Sequence, residues 1–485
     1  MIKSYHAYTR EIRDPLYGYI YLTPLETKLV DTYLFQRLDR LLQNPGTKFV
    51  YPNATHTRKA HSLGVMHLAG IALKKLLVRQ CQVSRYFKLP PILMEPAVIK
   101  LTETYKPSEE EKHLDDLTEI GIDWWDDNIC KNPAFVIEAI RIAALLHDIG
   151  HGPFSHILEE AIRKTGIKPD FKHEQMSVKL LRNIDEYINP RAGRLTEEER
   201  DILNIAGDIL EGRDKLGSLF IHKLIDSALD TDKLDYLNRD AYHAGVLEYG
   251  RIDFIRVLDS FRVKDGKLVF TESSKTAIAR AFKAAEYMYS SVYYHKTCRA
   301  VELQLLDILA MNKTLLKNII KNPHEYIKWS DDALLFKILN EGEGDSRILA
   351  QHLLNRELKY KAISEKRIAL GTTLAIAEDK LEQIKNDVEE RFMSVEAKMD
   401  YFAAKPIRLN IRNLMKWVNE DIFITRDGTL LNLPSIYRSF YNEAVNFGVI
   451  FRLYVNRKMK DSRNAQDAKE FFERQLQSVE TAISR

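Results

Sequence analysis

Leu145-Leu146-His147-Asp148-Ile149-Gly150-His151-Gly152-Pro153-Phe154-Ser155-His156 sets three histidines and an aspartate around two glycines and a proline, directly after an apolar run. From Phe135 to Leu146 the apolar residues keep helical spacing, which predicts a buried helix delivering His147 and Asp148 at its end. Gly150, Gly152 and Pro153 stop that helix and turn the chain back. A neutral imidazole beside a carboxylate suits a divalent cation of intermediate hardness, because nitrogen and hard oxygen donors are both supplied. Unpaired, the same groups would be costly to bury. A lone histidine at an apolar helix end is ordinarily a satisfied core residue, so the metal reading depends on what the rest of the chain adds.

The chain has 485 residues, 45% of them hydrophobic and 29% charged, enough for two domains or one large core with an appended lobe. Met1 to Arg10 lacks the apolar core of a signal peptide and no later stretch has the length to cross a bilayer, so the expectation is a cytoplasmic protein without a membrane partner. Cys81, Cys130 and Cys298 are far apart, which fits a reducing compartment and argues against a disulfide framework or a cysteine zinc site. A net charge of +3 carries no nucleic-acid signal, so any attraction for phosphate must be local.

Helical patterns from Leu25 to about Ile320 predict a mainly α fold, with a helical-bundle core over 1–320 and a smaller mixed α+β C-terminal lobe over 321–485. Residues 88–132, with Pro90-Pro91 and Glu109-Glu110-Glu111, read as a surface insertion, and Asn189 to Arg200 as a solvated polar stretch. Between 372 and 398, Leu374, Ile376, Leu381, Ile384, Val388 and Phe392 predict a long amphipathic helix, packed on the core or on another subunit. Asp427-Gly428 between two short apolar strands signals a hairpin, and Gly448 to Val455 another strand.

Two more stretches offer ligands. Thr57 can cap a helix on which Arg58 and His61, three apart, share a face. Asp232, Tyr236, Asp240 and His243 recur at spacings of four, four and three, a polar stripe along one helix face.

These words, in this order, resemble a known family. His61-Ser-Leu-Gly-Val65, the His147 to His156 stretch, Lys172-His-Glu174 and Asp232-Lys-Leu-Asp-Tyr-Leu-Asn-Arg-Asp240 are similar to the HD-domain deoxynucleoside triphosphate (dNTP) triphosphohydrolases of the HD phosphohydrolase superfamily. Asp14-Pro-Leu-Tyr-Gly18, the Asp31 to Leu38 segment and Tyr293-Tyr-His-Lys296 resemble the same family, so matching words run from about residue 14 to 296.

The resemblance implies an HD-domain helical-bundle core in which His61, His147, Asp148 and Asp232 hold one divalent metal (Mn, Fe, Zn, Ni or Mg) at an open, catalytic site. It implies attack at the α-phosphorus of a dNTP, giving a deoxynucleoside and inorganic triphosphate. His151, His156 and His173 would orient the nucleophile, contact the α-phosphate or protonate the 5′ oxygen, with Glu159 fixing a tautomer. Arg58, Lys233 and Lys296 would neutralise the triphosphate. Gln43 and Asp240 would bind the 3′ hydroxyl, and Tyr293 or Tyr236 would pack on the sugar and exclude a 2′ hydroxyl. Apart from the resemblance, the Asp235 carboxylate is expected only to pair with Arg239 or with neighbouring helices. A homo-oligomer, dimer or tetramer, is also implied.

The sequence departs from the pattern at two places. Regulated members bind a guanine nucleotide through an Asp, a Gln and an Arg; Asp31 and Gln36 fit, but Asp39 stands where the Arg would be, which argues against such an activator. Asn44 replaces a commonly apolar residue beside the sugar. Two other functions compete: an HD-type phosphodiesterase or nucleotidase on another nucleotide, in which a second metal on the three histidines would suit diesterase or oxygenase chemistry, and a non-catalytic nucleotide sensor, whose mark would be a lost ligand. All four ligands are present.

Overall fold

The computed structural model describes residues 9–80, 133–213, 219–227, 229–264, 267–370, 378–403, 421–424, 430–432 and 447–483; the expected insertion at 88–132 lies outside them. Helix Pro133–Leu146 is apolar around most of its circumference, and a helix of that kind belongs in a core. Val136, Ile137, Ile140, Ala143, Ala144 and Leu146 are accordingly buried. It packs along helix Arg58–Gln80 and against helix Glu197–Leu210, while helix Thr231–Ala244 lies against Arg58–Gln80. Three of these helices bring His61, the His147-Asp148 pair and Asp232 toward one another.

The Asn189 to Arg200 stretch ends as a helix start rather than a merely solvated face. Thr196 and Glu199 form a reciprocal capping box at the head of Glu197–Leu210, satisfying two helix-end donors, and Glu199 also accepts from Lys28 Nζ at 2.8 Å.

Two strand pairs stand in the part expected to be a helical bundle, one ahead of Leu25 and one within the helical region. Strands β1 (Arg10–Asp14) and β2 (Gly18–Leu22) pair antiparallel, with Asp14 opposite Gly18. In β2, Ile20 and Leu22 are fully buried while Tyr19 is exposed, the period of two expected of a half-buried strand. Strands β3 (Phe261–Lys264) and β4 (Lys267–Thr271) also pair antiparallel. Asp265-Gly266 stands between them in the sequence, the same dipeptide signal that marks residues 427 and 428.

In the C-terminal part, β5 (Tyr360–Leu370), β6 (Lys398–Ala403), β7 (Asp421–Ile424), β8 (Leu430–Asn432) and β9 (Phe447–Asn456) follow in order. A three-stranded antiparallel sheet runs β5-β9-β6, and β7 pairs antiparallel with β8 and parallel with β4. The expected hairpin strands therefore pair, with residues 425–429 outside the described set. The amphipathic helix ends earlier than its sequence pattern predicts. It spans Glu378–Arg391, buries Leu381, Ile384 and Val388, and packs on β6 and helix Arg463–Ile483 of the same chain. Glu396, at φ 50°, turns the backbone so that Lys398 starts β6. Leu374 and Ile376 lie outside the described residues.

One contiguous buried cluster runs from Tyr17 to Val479. Among the described residues no helix is long and apolar enough to cross a membrane. A single carboxylate ties the C-terminal part to the loops beside the histidines. Asp331 begins helix Asp331–Glu341, is buried, and accepts from Phe154 N at 2.7 Å and Leu42 N at 2.9 Å. Burial pushes its carboxyl up to about 6 against those two bonds. The bonds hold a segment in which Phe154 and Ser155 sit at φ 58° and 55°, a conformation that costs about 1–3 kcal/mol per residue. Asp331→Ala leaves two N–H groups, one buried and one part-buried, without acceptors. It should lower unfolding stability by about 2–4 kcal/mol in urea titrations, whereas exposed Asp332→Ala should stay within about 0.5 kcal/mol.

Candidate active site

A cavity of about 370 Å³ is lined by His61, His147, Asp148 and Asp232, by His151, His156 and His173, by Arg58 and Lys233, and by Gln43, Asn44, Tyr236, Asp240 and Tyr293. At one wall His61, His147 and Asp232 each bring a ligand atom to within 4.8 Å of the others, and Asp148 stands beside both histidines. His61 Nε2 lies 2.9 Å from Asp232 Oδ1 and 3.8 Å from Asp148 Oδ2, and His147 Nε2 lies 3.4 Å from Asp148 Oδ1 and 3.7 Å from Asp232 Oδ1.

The residues fit a cation. His147 Nδ1 is tied to the Ala144 carbonyl at 2.7 Å, and its Nε2 is buried without a hydrogen bond among the described residues. His61 Nδ1 is 2.8 Å from Asp235 Oδ2. Each imidazole thus has its outer nitrogen anchored and presents Nε2 inward, as ligating histidines do. Burial opposes protonation of His61, but the bonds to Asp232 and Asp235 outweigh it and raise its pKa to about 10. Burial likewise opposes ionisation of Asp148, yet the charges of His147 and Arg58 hold it well below the usual carboxylate range. Such a concentration of opposed shifts marks a site built to hold charge.

Behind His61 lies a chain of groups of which the sequence reading assigned only the pairing of Asp235 with Arg239. Asp235 and Arg239 are fully buried and joined by two 2.9 Å bonds; Tyr17 Oη donates to Asp235 at 2.8 Å, and Arg239 reaches Asp14 at 2.8 Å. Asp235 therefore pairs with Arg239, as expected, and also orients a candidate ligand. Gly64 is required there, since a Cβ would stand 1.8 Å from Asp235 Oδ1. The readable signal was an i, i+4 Asp-Arg pair on a helix face opposite a glycine three residues after His61.

The turn after helix Pro133–Leu146 is pinned by Arg37, whose guanidinium donates to the carbonyls of Ile149 and His151 at 2.6 Å each. A Cβ on Gly150 would meet the His173 carbonyl at 2.1 Å, so this turn and helix His173–Arg182 touch backbone to backbone. That contact brings the imidazoles together. His151 stacks on His173 at 3.7 Å and meets His156 edge-on at 4.9 Å. Glu159 lies 2.8 Å from His173 Nδ1 and 3.3 Å from His156 Nδ1. Burial opposes its ionisation, but hydrogen bonds from both histidines hold Glu159 well below the usual carboxylate range. Burial, then the charges of Arg58 and His173, keep His151 well below its ordinary value and hence neutral. These four side chains also bring one ligand atom each to within 4.8 Å of the others.

The cations are placed less freely than the sequence suggests. Arg58 donates to Asp148 Oδ2 at 2.5 Å and to Ser155 Oγ at 2.9 Å, and Lys233 Nζ holds Asp230 at 2.7 Å. Lys296 is exposed and is not among the residues lining the cavity. In the Asp31 to Asp39 segment, Asp31 pairs with Arg10, Gln36 with Lys59 and the Val30 carbonyl, and Asp39 with Lys59 and with Thr57 Oγ1, which donates to it.

At the far end, Asp240 is buried between three donors: His56 at 2.5 Å, Tyr293 at 2.6 Å and Asn44 at 2.9 Å. Gln43 Oε1 is buried without a partner among the described residues. Tyr293 closes a π-helical turn, Tyr289–Tyr293, and Tyr236 Oη meets Tyr289 Oη at 3.1 Å. Tyr293 lines the cavity, and Tyr294 instead packs with Tyr289 and Ile450.

Two families match the sequence, the HD domain over residues 121–240 and the HD associated region over residues 252–400. A deoxynucleoside triphosphate triphosphohydrolase SAMHD1 homolog of Dictyostelium discoideum is 29% identical over 364 residues, covering 73% of this chain and 60% of that protein. The Gallus gallus SAMHD1 is 28% identical, covering 61% and 44%, and the uncharacterized YwfO of Bacillus subtilis 28%, covering 62% and 56%. The matches thus span less than two thirds of the length of these relatives. A phosphohydrolase structure from Bacteroides thetaiotaomicron superposes with TM-score 0.62 at 23% identity, covering 92% of this chain and 99% of that one. A hypothetical protein from Aquifex aeolicus gives 0.63 at 21%, covering 95% and 99%. The last two establish the fold.

Asp235→Asn removes the carboxylate that orients His61 and should weaken divalent-metal affinity about 10- to 100-fold, read by metal titration with the fold intact by circular dichroism. Gly64→Ala should be worse, because Asp235 has nowhere to move. Its product should be recovered with little bound metal and a lowered Tm.

Proposed function

We propose that this chain is an HD-domain phosphohydrolase resembling the dNTP triphosphohydrolases, and that it hydrolyses dNTPs to a deoxynucleoside and inorganic triphosphate. The observation that carries this reading is the joining, in one cavity, of a four-residue ligand set, a histidine cluster and a polar end closed by tyrosines. His61, His147, Asp148 and Asp232 would hold one divalent cation, which when bound supplies Lewis acidity and lowers the pKa of water.

The remaining chemistry falls to the chain's own side chains. In the net step a water oxygen joins the α-phosphorus, the bond to the 5′ oxygen breaks, and that oxygen takes a proton. His156 is the least buried of the three cluster imidazoles and has its Nδ1 at Glu159. Its Nε2 is thereby assigned as the acid for the 5′ oxygen. His151, neutral and 3.3 Å from Asp148, can orient the attacking water. His173 buttresses His151 by stacking. Arg58 and Lys233 add positive potential for the triphosphate although each holds a carboxylate. Gln43 and Asp240 take the 3′ hydroxyl, while Tyr236 and Tyr293 pack against the sugar. Assembly as a homodimer or tetramer belongs to the same proposal.

A second reading has a specific observation behind it. His151, His156, Glu159 and His173 are close enough to bind a second cation, which would favour diesterase or nucleotidase chemistry on another nucleotide. Metal analysis discriminates: one ion per chain supports the first reading and two the second.

Metal-quantified protein incubated with each dNTP, NTP and cyclic nucleotide should release triphosphate from dNTPs alone, and Asp148→Ala should abolish it. Pyrophosphate or monophosphate as the phosphate product, or no turnover with any metal, would sink the proposal. His156→Ala should lower kcat about 10²- to 10⁴-fold while leaving metal content in place.

A further inference from the structure

We propose that His56 is a positioning residue that makes Asp240 an acceptor for one hydroxyl and no more, and so contributes to selection of deoxyribose over ribose. The proposal rests on the reading of Asp240 as the sugar contact. His56 stands just ahead of helix Arg58–Gln80, outside the cavity lining, with its side chain 2% exposed and that of Asp240 4% exposed. Its Nε2 is 2.5 Å from Asp240 Oδ1. An ionised carboxylate only accepts, so this nitrogen carries the hydrogen. The other ring nitrogen, Nδ1, is buried without a hydrogen bond among the described residues, and the ring stacks on His243 at 4.5 Å and 16°. Asp240 is therefore the one polar partner given to this imidazole, and stacking fixes the plane from which it is approached.

The acceptor count follows. A carboxylate offers about four lone-pair sites, two on each oxygen. On Oδ2 both are taken, by Tyr293 Oη at 2.6 Å and Asn44 Nδ2 at 2.9 Å. On Oδ1 His56 takes one. Among the described residues a single acceptor site on Asp240 remains, and a deoxyribose presents a single 3′ hydroxyl to fill it. A ribose presents two adjacent hydroxyls, and Asp240 has no acceptor left for the second, which must compete with the first for Gln43 Oε1. Leaving a buried hydroxyl unpaired is penalised far more than making one bond is rewarded, so the donor behind the carboxylate discriminates without touching the substrate. This differs from steric exclusion by the tyrosines and is separable from it.

The test compares a dNTP, the matching NTP and the matching 2′,3′-dideoxy analogue on wild type, His56→Ala and His56→Gln, with Tm and metal content measured on each. Wild type should prefer the dNTP over both analogues. In His56→Ala the preference in kcat/KM for dNTP over NTP should narrow about tenfold, while the preference for dNTP over the dideoxy analogue persists because Asp240 is still present. His56→Gln, whose amide nitrogen can restore a donor to Oδ1, should recover most of the lost preference. If the wild type is indifferent to the 3′ hydroxyl, the sugar role of Asp240 fails and the proposal falls with it. If the wild type shows that preference but His56→Ala leaves the dNTP-to-NTP ratio where it was, or His56→Gln loses as much as His56→Ala, the proposal alone is overturned.

Discussion

The fully buried pair of Asp235 and Arg239 is the constraint around which the site is arranged. A buried ion pair is a poor stabiliser, because removing two charges from water cancels most of their attraction. This pair yields position instead. Asp235 shares its oxygens among Arg239, Tyr17 and His61, and Arg239 continues to Asp14. Four stretches of the chain, the β1 to β2 turn, the start of helix Arg58–Gln80 and two turns of helix Thr231–Ala244, are thereby fixed relative to His61. Gly64 is the price of that closeness.

The opposite wall uses a different device. Glu159 is one carboxylate shared by two imidazoles, with a third stacked beside them. A carboxylate bonded in this way fixes which ring nitrogen carries a hydrogen and which is presented to the cavity. The same logic recurs at Asp240, where Tyr293, Asn44 and His56 leave little of the carboxylate unused. In all three places an aspartate or glutamate fixes the orientation of a neighbour, and geometry rather than net charge carries the result.

Much of this was legible because the residues concerned are chemically distinctive and occur in compact words. His147 and Asp148 are adjacent, and the stripe from Asp232 to Asp240 declares a helix face by its spacing. Part of what was not legible has one physical cause: pairing across long separations. Arg58 lines the cavity, yet nothing local reveals that Asp148, 90 residues away, occupies it, whereas the Asp230 that holds Lys233 stands only three residues before it. Lys296 belongs to a matching word but is exposed. His56 stands in the same stretch as His61 without any local sign of its bond to Asp240, which is 184 residues away. The strands β3 and β4 were missed because runs of four or five residues are outweighed by the helical periodicity around them, although Asp265-Gly266 carried a usable signal; β1 and β2, of five residues each, are too short for their alternation to stand out. The helix ending at Arg391 was read too long because its apolar spacing continues into Phe392 after the backbone has turned.

Asp331 joins histories as well as loops. It lies in the part of the chain farthest in sequence from the ligand words, and it holds the strained Phe154-Ser155 segment that leads into His156 as well as the loop that carries Gln43 and Asn44. A tail attached to a self-sufficient catalytic unit can be exchanged, lengthened or lost without consequence for the chemistry. This one cannot be treated as such a module, because the acceptor for two backbone groups of the site arrives with it. Recombination between relatives anywhere between His156 and Asp331 would have to preserve that acceptor, so the loops beside the histidines and the helix that Asp331 begins are constrained to be inherited and to diverge together.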